Sequence, residues 1–551
     1  MTNQPIFILR PDTERFQGKA ALGRNILAAK TLAGIVRTTL GPKGMDKMLN
    51  DSLGDITLTN DGATILREMD ITQPAARMLV EISKKQEDAV GDGTTSVVVL
   101  AGELLIKAEE LINDGYSTSL IIKGFRDALN KALEILNDIS IEANDEDTLK
   151  KIAMTAITGK GSEFEKEYLA DLIVEAAMRV EEEGKVNKEN INIQRISGDS
   201  VKESFIIDGL IVDKAPLSKH TSRDLRDVKI ATLKYPIEVH KTNTESKIKI
   251  TDPLQMKAFR DNELEMVRDL ANKVIDSGAN ILFCQKGIDE TAENILTKAG
   301  IVCYKRVRNT DIQRICKATG SKFVTNIDEL NNENLGYAGH VYVNKIFDHE
   351  VTFIEECENP KATSIILRGS TRHVTEEGKR ALDDALGVVA STIEEGKVLV
   401  GGGACEIELI KRLKQFAETI SGKEQIAILA VADAFEVIPR TLAENAGLDI
   451  IDMVTNLKAA HEDSTDMGLN VLEGKIVNMK EAGVLEPLKV KYNAVQSASE
   501  ACEMILRIDD MIAASGAFES TGPDESGNDN SGMMPPGAMG GGMPGGMPPM
   551  M

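Results

Sequence analysis

The sequence predicts a multidomain protein, in which a mainly helical domain is built from both ends of the chain and a domain with its own sheet is inserted between them. Length and composition allow several cores, because 551 residues with 42% apolar content are enough for about three or four domains. Helical periodicity and glycine turns that carry carboxylates occupy the first and last thirds, whereas a β-α-β pattern runs from about residue 229 to residue 368. The simplest architecture is therefore a helical domain interrupted by the middle of the chain.

The composition argues against a nucleic-acid-binding, zinc-binding, secreted or membrane protein. Lysine and arginine number 64 against 87 acidic residues, a formal net charge of −23, and such a surface repels a polyphosphate backbone, so nucleic acid is not an expected partner. The 6 cysteines contain no C-x-x-C pair, which predicts reduced, mostly buried thiols rather than zinc ligands. No apolar run approaches the roughly 18 residues of a membrane span, and no secretory leader is evident. We therefore expect a cytoplasmic protein with no membrane partner.

The first third begins with a core helix and a loop that suits a phosphate. Apolar residues recur at helical spacing from Arg24 to Leu40, and Gly41-Pro42 then stops the pattern. The next segment, Met45 to Leu49, has the pattern of another helix start, so the loop from Gly41 to Gly44 would join two helices. A plain corner between helices is the alternative, because Gly-Pro pairs mark turns of every kind.

Two further turns carry a carboxylate next to glycine. The alternating segment Asp55 to Thr59 predicts a short strand that leads into Asn60-Asp61-Gly62, and Gly91-Asp92-Gly93-Thr94-Thr95-Ser96 precedes an apolar run. Glycine permits positive φ and close approach to a ligand, and a helix that starts after such a turn offers unpaired N–H groups to an anion. Because Mg²⁺ is usually bound by one or two carboxylates with phosphate oxygens and water, Asp61 and Asp92 form a candidate pair. By itself the second turn is weak evidence, since Gly-Asp-Gly is usually an ordinary turn.

The middle of the chain changes character. From about residue 145 to residue 215 helical patterns give way to short strands, and a loop there contains Gly159-Lys160-Gly161. Apolar strands at Lys229 to Leu233, Ile281 to Cys284 and Ile301 to Tyr304, with a helix from Asp289 to Ala299, predict a domain with its own sheet.

A charged helical segment, Pro253 to Ser277, carries an apolar stripe within this sheet domain. Most such stripes pack against their own domain, but Met and Phe on a charged arm also suit the capture of varied apolar partners, and the pattern leaves both interpretations open. The residues of the stripe are Met256, Phe259, Met266, Val267, Leu270 and Val274.

The last third returns to helices and glycine turns. Arg380 to Ile393 predicts a helix that contains the adjacent pair Asp383-Asp384, and Val398 to Val400 leads into Gly401-Gly402-Gly403, where backbone can lie against a ligand. The tail from about Gly516 is rich in Gly, Ser, Asp and Pro, a composition that predicts disorder because it cannot bury a core.

Taken together, five blocks of sequence resemble the signature set of the group II chaperonins, in particular the archaeal thermosomes, which are related to the eukaryotic cytosolic chaperonin. The similarity covers nearly the whole chain in the right order. The blocks are Leu40 to Leu49, Asn60-Asp61-Gly62, Gly91 to Thr95, Gly401-Gly402-Gly403 and Pro439 to Gly447, and the Gly/Met tail is also similar to chaperonin C-termini.

The resemblance implies a chaperonin fold with three domains: a mainly α equatorial ATPase domain, a small α+β intermediate domain and an α/β apical domain for substrates. This agrees with the layout expected from the residues. The implied ranges are 1–144 and 402–515 for the equatorial domain, 145–214 and 367–401 for the intermediate domain, 215–366 for the apical domain with a helical protrusion at about 243–277, and 516–551 for the tail.

The resemblance also implies an ATPase that uses Mg²⁺. Asp384 would position or deprotonate the attacking water, Asp61 would be the second catalytic carboxylate, and Asp92 would bind Mg²⁺. Because Asp384 would lie on a different domain from the other two, hydrolysis would require domain closure. Lys160 would sense the γ-phosphate and Glu486 would face the ribose. The nucleotide contacts implied are Leu40, Gly41, Pro42, Gly44, Gly62, Gly93, Thr94, Thr95, Ser96, Lys160, Gly402 and Glu486.

The implied partners are client proteins and other subunits. Unfolded or partly folded proteins would contact a built-in lid. Copies of the chain, with or without paralogous subunits, would form an eight-membered double ring, in which Asp55 to Thr59, the N-terminal segment and Ile505 to Ile512 pair across subunits. The lid and substrate residues implied are Met256, Phe259, Met266, Val267 and Leu270.

Two other functions stay open at this point. A small-molecule kinase or ATP-dependent ligase could use the same turns, although no G-x-x-x-x-G-K-[ST] motif and no nucleophile constellation supports one. A non-catalytic ring scaffold would bind clients without releasing phosphate. Within the chaperonin interpretation, Asp383 precedes Asp384, and their separation of about 100° around a helix allows only one of them to face the site.

Overall fold

Almost all of the described residues belong to one compact unit. In the computed structural model they are residues 14–50, 54, 56–143, 145–160, 165–197, 200–207, 209–219, 221–239, 253–346, 349–358 and 361–513. One compact unit is Phe16–Met511, and the other comprises Met1–Arg15 with Ile512–Met551. The predictions for the N-terminal segment up to residue 13, for residues 243–252 of the protrusion and for the tail lie outside the described residues.

Helices dominate both ends of the chain. The predicted helices at Arg24 to Leu40, Pro253 to Ser277, Asp289 to Ala299 and Arg380 to Ile393 are confirmed, as α1, α8, α9 and α11. The α-helices of the described residues are α1 (Lys19–Arg37), α2 (Gly62–Glu68), α3 (Pro74–Val90), α4 (Thr94–Asn113), α5 (Thr118–Asp138), α6 (Glu146–Ile157), α7 (Lys166–Val180), α8 (Pro253–Asp276), α9 (Glu290–Lys298), α10 (Asn309–Thr319), α11 (Arg372–Glu395), α12 (Ala404–Thr419), α13 (Glu424–Ala434), α14 (Val437–Asn445), α15 (Ile450–Ala460) and α16 (Leu488–Leu506).

Strands are concentrated in the middle of the chain, and the three apolar strands predicted there are confirmed, as parts of β8, β9 and β10. The strands of the described residues are β1 (Glu14–Gln17), β2 (Lys47–Asn50), β3 (Ile56–Thr59), β4 (Ile141–Glu142), β5 (Ile191–Ser197), β6 (Phe205–Ile207), β7 (Gly209–Val212), β8 (Asp224–Leu233), β9 (Ile281–Cys284), β10 (Val302–Tyr304), β11 (Phe323–Val324), β12 (Gly336–Ile346), β13 (His349–Glu355), β14 (Thr363–Gly369), β15 (Lys397–Val400), β16 (Met467–Asn470), β17 (Lys475–Asn478), β18 (Leu485–Pro487) and β19 (Asp510–Ala513).

The largest apolar core joins helices from both ends of the chain. Side chains of α1, α3, α4 and α5 pack with those of α12, α13 and α16, and Ile26, Leu105 and Leu413 are each at most 1% exposed within it. Small residues bring α1 and α4 close together, since a Cβ on Gly102 would lie 2.4 Å from the Cβ of Ala33. Removal of this apolar surface from water ties the last third of the chain to the first.

A seven-stranded mixed sheet forms from the middle of the chain. Its order is β10-β9-β8-β12-β13-β7, and β11 also pairs with β8. β8, β9 and β10 run parallel, whereas β12 and β13 are antiparallel to their neighbours. Alternate residues of β9 enter two cores: Leu282 and Cys284 pack with α8 and α9, and Ile281 and Phe283 pack with α10. Burial on both faces explains why this strand is continuously apolar.

Two three-stranded sheets pair segments that lie far apart in the sequence. One has the order β5-β14-β6 and the other β18-β15-β4. Antiparallel pairing places Leu399 of β15 opposite Glu486 of β18, so the turn Gly401 to Gly403 follows directly beside that glutamate. α6, α7 and α11 share a core with residues of these sheets, to which α7 contributes Ile173 and α11 contributes Leu382.

One predicted helix is a strand. The prediction of a helix start at Met45 to Leu49 is wrong, because β2 pairs antiparallel with β3, with Lys47 opposite Thr59. Burial alternates along β2, and Met48 is 71% exposed. A short segment with alternating burial lacks the continuous apolar face that would hold a helix, whereas the hairpin supplies hydrogen-bond partners for its backbone.

Two expectations from composition concern cysteines and membranes. Cys284, Cys303, Cys405 and Cys502 are buried, as expected for structural thiols. Burial raises the pKa of the Cys284 and Cys303 thiols to about 12. Among the described residues, no helix has the length and apolar character needed to cross a bilayer.

Two neighbouring side chains of α1 provide a test of the helical core. Replacing Ile26, which is 1% exposed, by Ala should remove packed methyl groups and lower the free energy of unfolding by about 2–5 kcal/mol. The adjacent Leu27 is 61% exposed, so Leu27→Ala should change that free energy by less than about 0.5 kcal/mol. Urea unfolding followed by circular dichroism measures both, and equal destabilisation would contradict the assignment of Ile26 to the core.

Candidate functional site

One cavity gathers most of the predicted nucleotide residues. Its volume is about 340 Å³, within the range of roughly 300–1,000 Å³ that is usual for small-molecule pockets. A larger cavity of about 840 Å³, around Tyr116 and Arg507, contains none of them. The predicted residues that line the smaller cavity, called the nucleotide pocket below, are Leu40, Gly41, Pro42, Asp61, Gly62, Asp92, Gly93, Thr94, Thr95, Ser96, Lys160, Gly402 and Glu486.

Asp61 is fixed by two hydrogen bonds at the start of α2. As the N-cap residue, it accepts a hydrogen bond from the Thr64 amide through Oδ2 at 2.8 Å, and its Oδ1 accepts one from the Thr94 hydroxyl at 3.2 Å. Gly62 allows the start of α2 to touch that of α4, since a Cβ there would lie 2.5 Å from Thr95 Oγ1. The carboxylate is therefore held between the N-termini of two helices.

The Asp92 turn joins α3 to α4. Gly93 is the N-cap residue of α4 with φ 78°, a left-handed conformation that favours glycine, and no side chain caps this helix. The first-turn residues Thr94 to Ser96 line the nucleotide pocket, so their backbone amides and the helix dipole are suited to an anion there. Gln86 Nε2 donates to the carbonyl oxygens of Asp92 and Val490, both at 3.0 Å, and this holds the turn in place.

Lys160, which lines the pocket, forms an ion pair with Asp384, which does not line it. The Nζ of Lys160 donates to Asp384 Oδ2 at 2.5 Å, and the two side chains are only 14% and 15% exposed. Asp383, the neighbouring residue of α11, is exposed. Of the two adjacent aspartates, Asp384 is thus the one that faces the lysine of the pocket.

Negative charge exceeds positive charge around this ion pair. Burial raises the pKa of Asp384 well above its usual range; the ammonium of Lys160 opposes the shift, whereas the carboxylates of Asp61 and Asp92 add to it. Burial disfavours the charged form of Lys160, but Asp384 and Asp92 outweigh it and raise the pKa of the lysine. Three carboxylates around one ammonium leave a negative site, which a cation would neutralise.

Sequence patterns miss several residues that the structure brings to the pocket. Lys491 of α16 forms ion pairs with Glu406 at 2.7 Å and with Glu486 at 3.1 Å. Asn60 Nδ2 donates to the Gly159 carbonyl at 2.7 Å and holds the turn that carries Lys160. These partners lie far apart in the sequence or on different kinds of element, so no spacing rule connects them.

Gly44 is a predicted nucleotide residue that does not line the pocket. A Cβ at Gly44 would lie 2.2 Å from the Thr39 carbonyl oxygen, so this glycine allows the loop to close on itself. This close approach shapes the loop, and the contact of Gly44 with the nucleotide stays a prediction.

The residues predicted for substrate contact lie on α8 and do not share one environment. Phe259 and Met266 are 48% and 46% exposed. Val267 is 1% exposed and belongs to the core between α8, α9 and the sheet, so its predicted contact with substrates is wrong, because this chain's own residues enclose it. Leu270 is partly buried against the same core, and the side chain of Met256 lies outside the described residues.

Comparison with known proteins identifies the family. A sequence profile of the TCP-1/cpn60 chaperonin family matches residues 32–515. The chain belongs to this family. Thermosome subunit alpha of Methanothermobacter thermautotrophicus is 59% identical to this chaperonin over 522 residues, which cover 95% of this chain and 96% of the relative. Thermosome subunit beta of the same organism is 55% identical over 547 residues, 99% of each chain. A thermosome subunit of Methanocaldococcus jannaschii is 51% identical over 539 residues, 97% of this chain and 99% of the relative. The predicted chaperonin family and fold are confirmed, and with them the prediction of a chaperone.

In this chaperonin two glycines set the approach of α11 to the Asp92 turn. A Cβ on Gly387 would lie 2.5 Å from the Val90 carbonyl oxygen and 3.0 Å from Gly91 Cα. Gly387 follows Asp384 by three residues and so lies on the same face of α11. This backbone contact therefore fixes how closely Asp384 can approach Asp92.

Replacement of Gly387 tests that contact. Gly387→Ala should push α11 away from the Asp92 turn and lower phosphate release from ATP by about tenfold or more, since a displacement of roughly 1 Å can cost about 10²-fold in rate. Gly378→Ala on the same helix is the matched control, because its Cβ would meet only the flexible Leu367 side chain, at 3.2 Å. Steady-state phosphate release is measured beside the melting temperature of each variant. Equal activity of the two variants would contradict the role of the glycine contact.

Proposed function

We propose that this chaperonin is a subunit of an ATP-driven folding chamber, a double ring that binds unfolded proteins and encloses them with a built-in lid as Mg-ATP is bound and hydrolysed. One observation carries the proposal: the lysine of the Lys160–Asp384 ion pair lines the same 340 Å³ cavity as Asp61 and Asp92. Phosphoryl transfer depends mainly on positioning and on electrostatic stabilisation, and this arrangement of charges can supply both. The proposed enzyme class is accordingly an ATPase.

The triphosphate is proposed to bind at the N-terminus of α4. Support comes from the uncapped first turn of that helix, Thr94 to Ser96, and from the loop Gly41-Pro42, both of which line the pocket. Gly402 and Glu486 line the same cavity and are proposed to contact the nucleoside, with the glutamate facing the ribose.

The residues present fit a Mg²⁺ ion. Asp92 and Asp61 supply carboxylate oxygens, which are its preferred ligands, and the excess negative charge of the site favours a cation. We assign the ion to Asp92, because both oxygens of Asp61 already accept hydrogen bonds. Among the described residues no group of three or more His, Cys, Asp or Glu could hold a metal unaided, which suits an ion that shares its coordination with phosphate oxygens and water. When bound, Mg²⁺ would neutralise charge on the phosphates.

Asp384 is proposed to act on the attacking water. Its carboxylate would orient that water and accept its proton, and the raised pKa of Asp384 suits a general base. Lys160 holds this carboxylate at the pocket and would gain a second anionic partner in the γ-phosphate, so it can report the presence of ATP to α11.

The proposed domain layout is the one implied by the sequence, with an equatorial domain from both ends, an intermediate domain and an apical domain at 215–366. Separate apolar cores support it. One core contains helices from both ends, a second contains α6, α7 and α11, and two others flank the seven-stranded sheet. Because α11 carries Asp384 in the second core and α2 follows Asp61 in the first, hydrolysis would depend on how the two domains close.

The partners are proposed to be partly folded proteins and further subunits. Phe259 and Met266 are large apolar side chains exposed on α8, which supports contact with apolar clients. Relatives named thermosome subunit alpha and beta occur in one organism, which supports a ring that includes paralogous subunits. The eight-membered ring, the lid and a cytoplasmic location belong to this proposal.

The adjacent aspartates of α11 provide the first test. Asp384→Ala should lower phosphate release by about 10²-fold or more, as expected for loss of a general base, while nucleotide binding persists because the residues that line the pocket are unchanged. Asp383→Ala, the matched control, alters an exposed side chain and should remain close to the wild type. Phosphate release with Mg-ATP and equilibrium binding of a fluorescent ATP analogue are measured for each. Full turnover by Asp384→Ala would contradict the catalytic assignment.

Client refolding distinguishes the folding chamber from the alternatives. The wild type should raise the yield of a denatured client only with ATP, whereas Asp384→Ala should bind the client without raising the yield. Client binding that is independent of nucleotide, with no phosphate release, would favour a ring scaffold. A phosphorylated small product would favour a kinase.

Removal of the proposed metal ligand should change the metal requirement. Asp92→Asn should raise the Mg²⁺ concentration for half-maximal phosphate release by about tenfold or more, because a neutral amide replaces the carboxylate that Mg²⁺ prefers as a ligand. Asp88→Asn, an exposed change near the end of α3, is the control. Mg²⁺ is titrated at a fixed ATP concentration, and an unchanged requirement in Asp92→Asn would place the ion elsewhere.

A further inference from the structure

Lys491, which lines the nucleotide pocket, forms a buried charged pair with Glu406 that the proposed hydrolysis does not use. The side chain of Lys491 is 12% exposed and that of Glu406 is 4% exposed, and each residue lies in the first turn of its helix, α16 and α12. The Nζ of Lys491 lies 2.7 Å from Glu406 Oε1 and 3.1 Å from Glu486 Oε2. One ammonium therefore joins two carboxylates from different elements.

These charges are compensated only in part. Burial disfavours the charged form of Lys491, but Glu406 and Glu486 outweigh it and raise its pKa, so the lysine is charged at neutral pH. Burial raises the pKa of Glu486; Lys491 opposes that shift, whereas the carboxylate of Glu406 adds to it. Oε2 of Glu406 is buried with no hydrogen-bond partner within the described part of the chain. Buried acceptors are usually paired, so an ion pair that served packing alone would be expected to satisfy both oxygens.

The pair determines where the Glu486 carboxylate lies. Strand pairing fixes its backbone opposite Leu399, and Lys491 holds its Oε2. Its other oxygen, Oε1, lies beside the turn that follows β15, since a Cβ on Gly401 would be 3.1 Å from it. Glu486 thus has one oxygen fixed by the lysine and the other next to a glycine turn that lines the pocket.

We propose that Lys491 and Glu406 are positioning residues that hold the Glu486 carboxylate in one orientation toward a nucleoside ribose, the lysine directly and Glu406 through the lysine, and so set a preference for ribonucleotides over deoxynucleotides. This inference rests on the proposed function, in which Glu486 faces the ribose. Ribose hydroxyls are donors, and an ionised carboxylate fixed through one oxygen presents the other as a strong acceptor. A site built around such a hydrogen bond rejects an analogue without the hydroxyl, because its acceptor is left unpaired.

The test compares nucleotides that differ by one hydroxyl group. The full-length protein is assayed with ATP, 2′-deoxyATP and 3′-deoxyATP, by steady-state kinetics and by equilibrium binding. The wild type should prefer ATP over at least one deoxynucleotide by about tenfold or more in kcat/KM, as expected for loss of a hydrogen bond to a charged group. Lys491→Met should bring this ratio close to one, mainly through a higher KM for ATP and with a smaller change in kcat.

A neighbouring lysine is the matched control. Lys489 lies two residues earlier on α16 and pairs with Glu394 at 3.0 Å, with side chains 27% and 45% exposed. Lys489→Met removes the same charge from the same helix and should leave the nucleotide ratio at the wild-type value. Lys491→Arg keeps the charge and should retain part of the preference.

A second variant keeps the proposal testable if Lys491→Met does not fold. Lys491→Met leaves two buried carboxylates without a counterion, whereas Lys491→Met combined with Glu406→Leu removes both charges of the pair and should fold more readily. The double variant should still lack the ribose preference, because no ammonium then holds the Glu486 carboxylate. An unchanged preference in the double variant would overturn the inference, as would a wild type that does not distinguish ATP from either deoxynucleotide.

Binding and turnover separate this inference from the proposed function. Equilibrium binding reports the ribose preference without hydrolysis. A wild type that binds ATP in preference to the deoxynucleotides, loses that preference in the double variant and releases no phosphate would support the positioning role and contradict the ATPase.

Discussion

The ion pair between Lys160 and Asp384 is the interaction on which the site depends. It connects the turn after α6 with α11, and it brings that helix to two further carboxylates at the starts of α2 and α4. A buried ion pair of this kind contributes little net stability, because desolvation offsets much of the Coulomb attraction. Its effect is on geometry: separation of the two groups would leave a charge buried and unpaired, so the pocket favours arrangements in which α11 stays close.

Close backbone contacts fix the positions of the helices that carry the carboxylates of the site. The contact of Gly62 with Thr95 joins two helix starts, and that of Gly387 with Gly91 joins α11 to the end of α3. Side chains can relax by rotation, but two backbones in contact cannot approach further or tilt without moving whole helices. Helices of 17 to 24 residues therefore act as rigid supports for carboxylates that must stand within a few ångströms of one another.

Local patterns predict much of this fold, and long-range pairing explains what they miss. The apolar periodicity of α1 and the continuous apolar strand β9 are visible in short windows of sequence, as are the glycine turns with Asp61 and Asp92. The hairpin at Lys47 to Thr59 is misjudged because its partner strand, rather than its own residues, decides its conformation. Val267 is misassigned for a related reason: on an amphipathic helix, sequence alone does not determine which apolar residue packs against a sheet. Lys491 and Glu406 are also missed because long-range packing brings them together: they come close to Glu486 only when α12, α16 and β18 are in place.

Because the helical core draws on both ends of the chain, it also sets an order of events during synthesis. α5 ends at Asp138 and α12 begins at Ala404, so a ribosome that adds roughly 5–20 residues per second leaves the early helices without their partners for some tens of seconds. The seven-stranded sheet can fold during this time, because its strands and the helices that cover it are synthesised one after another. Until the last helices arrive, the apolar faces of α1, α4 and α5 stay open to water. A nascent chaperonin subunit therefore exposes the kind of apolar surface by which chaperones recognise unfolded chains. Its apolar helix faces must be shielded by another protein, or be buried quickly once the last helices are made.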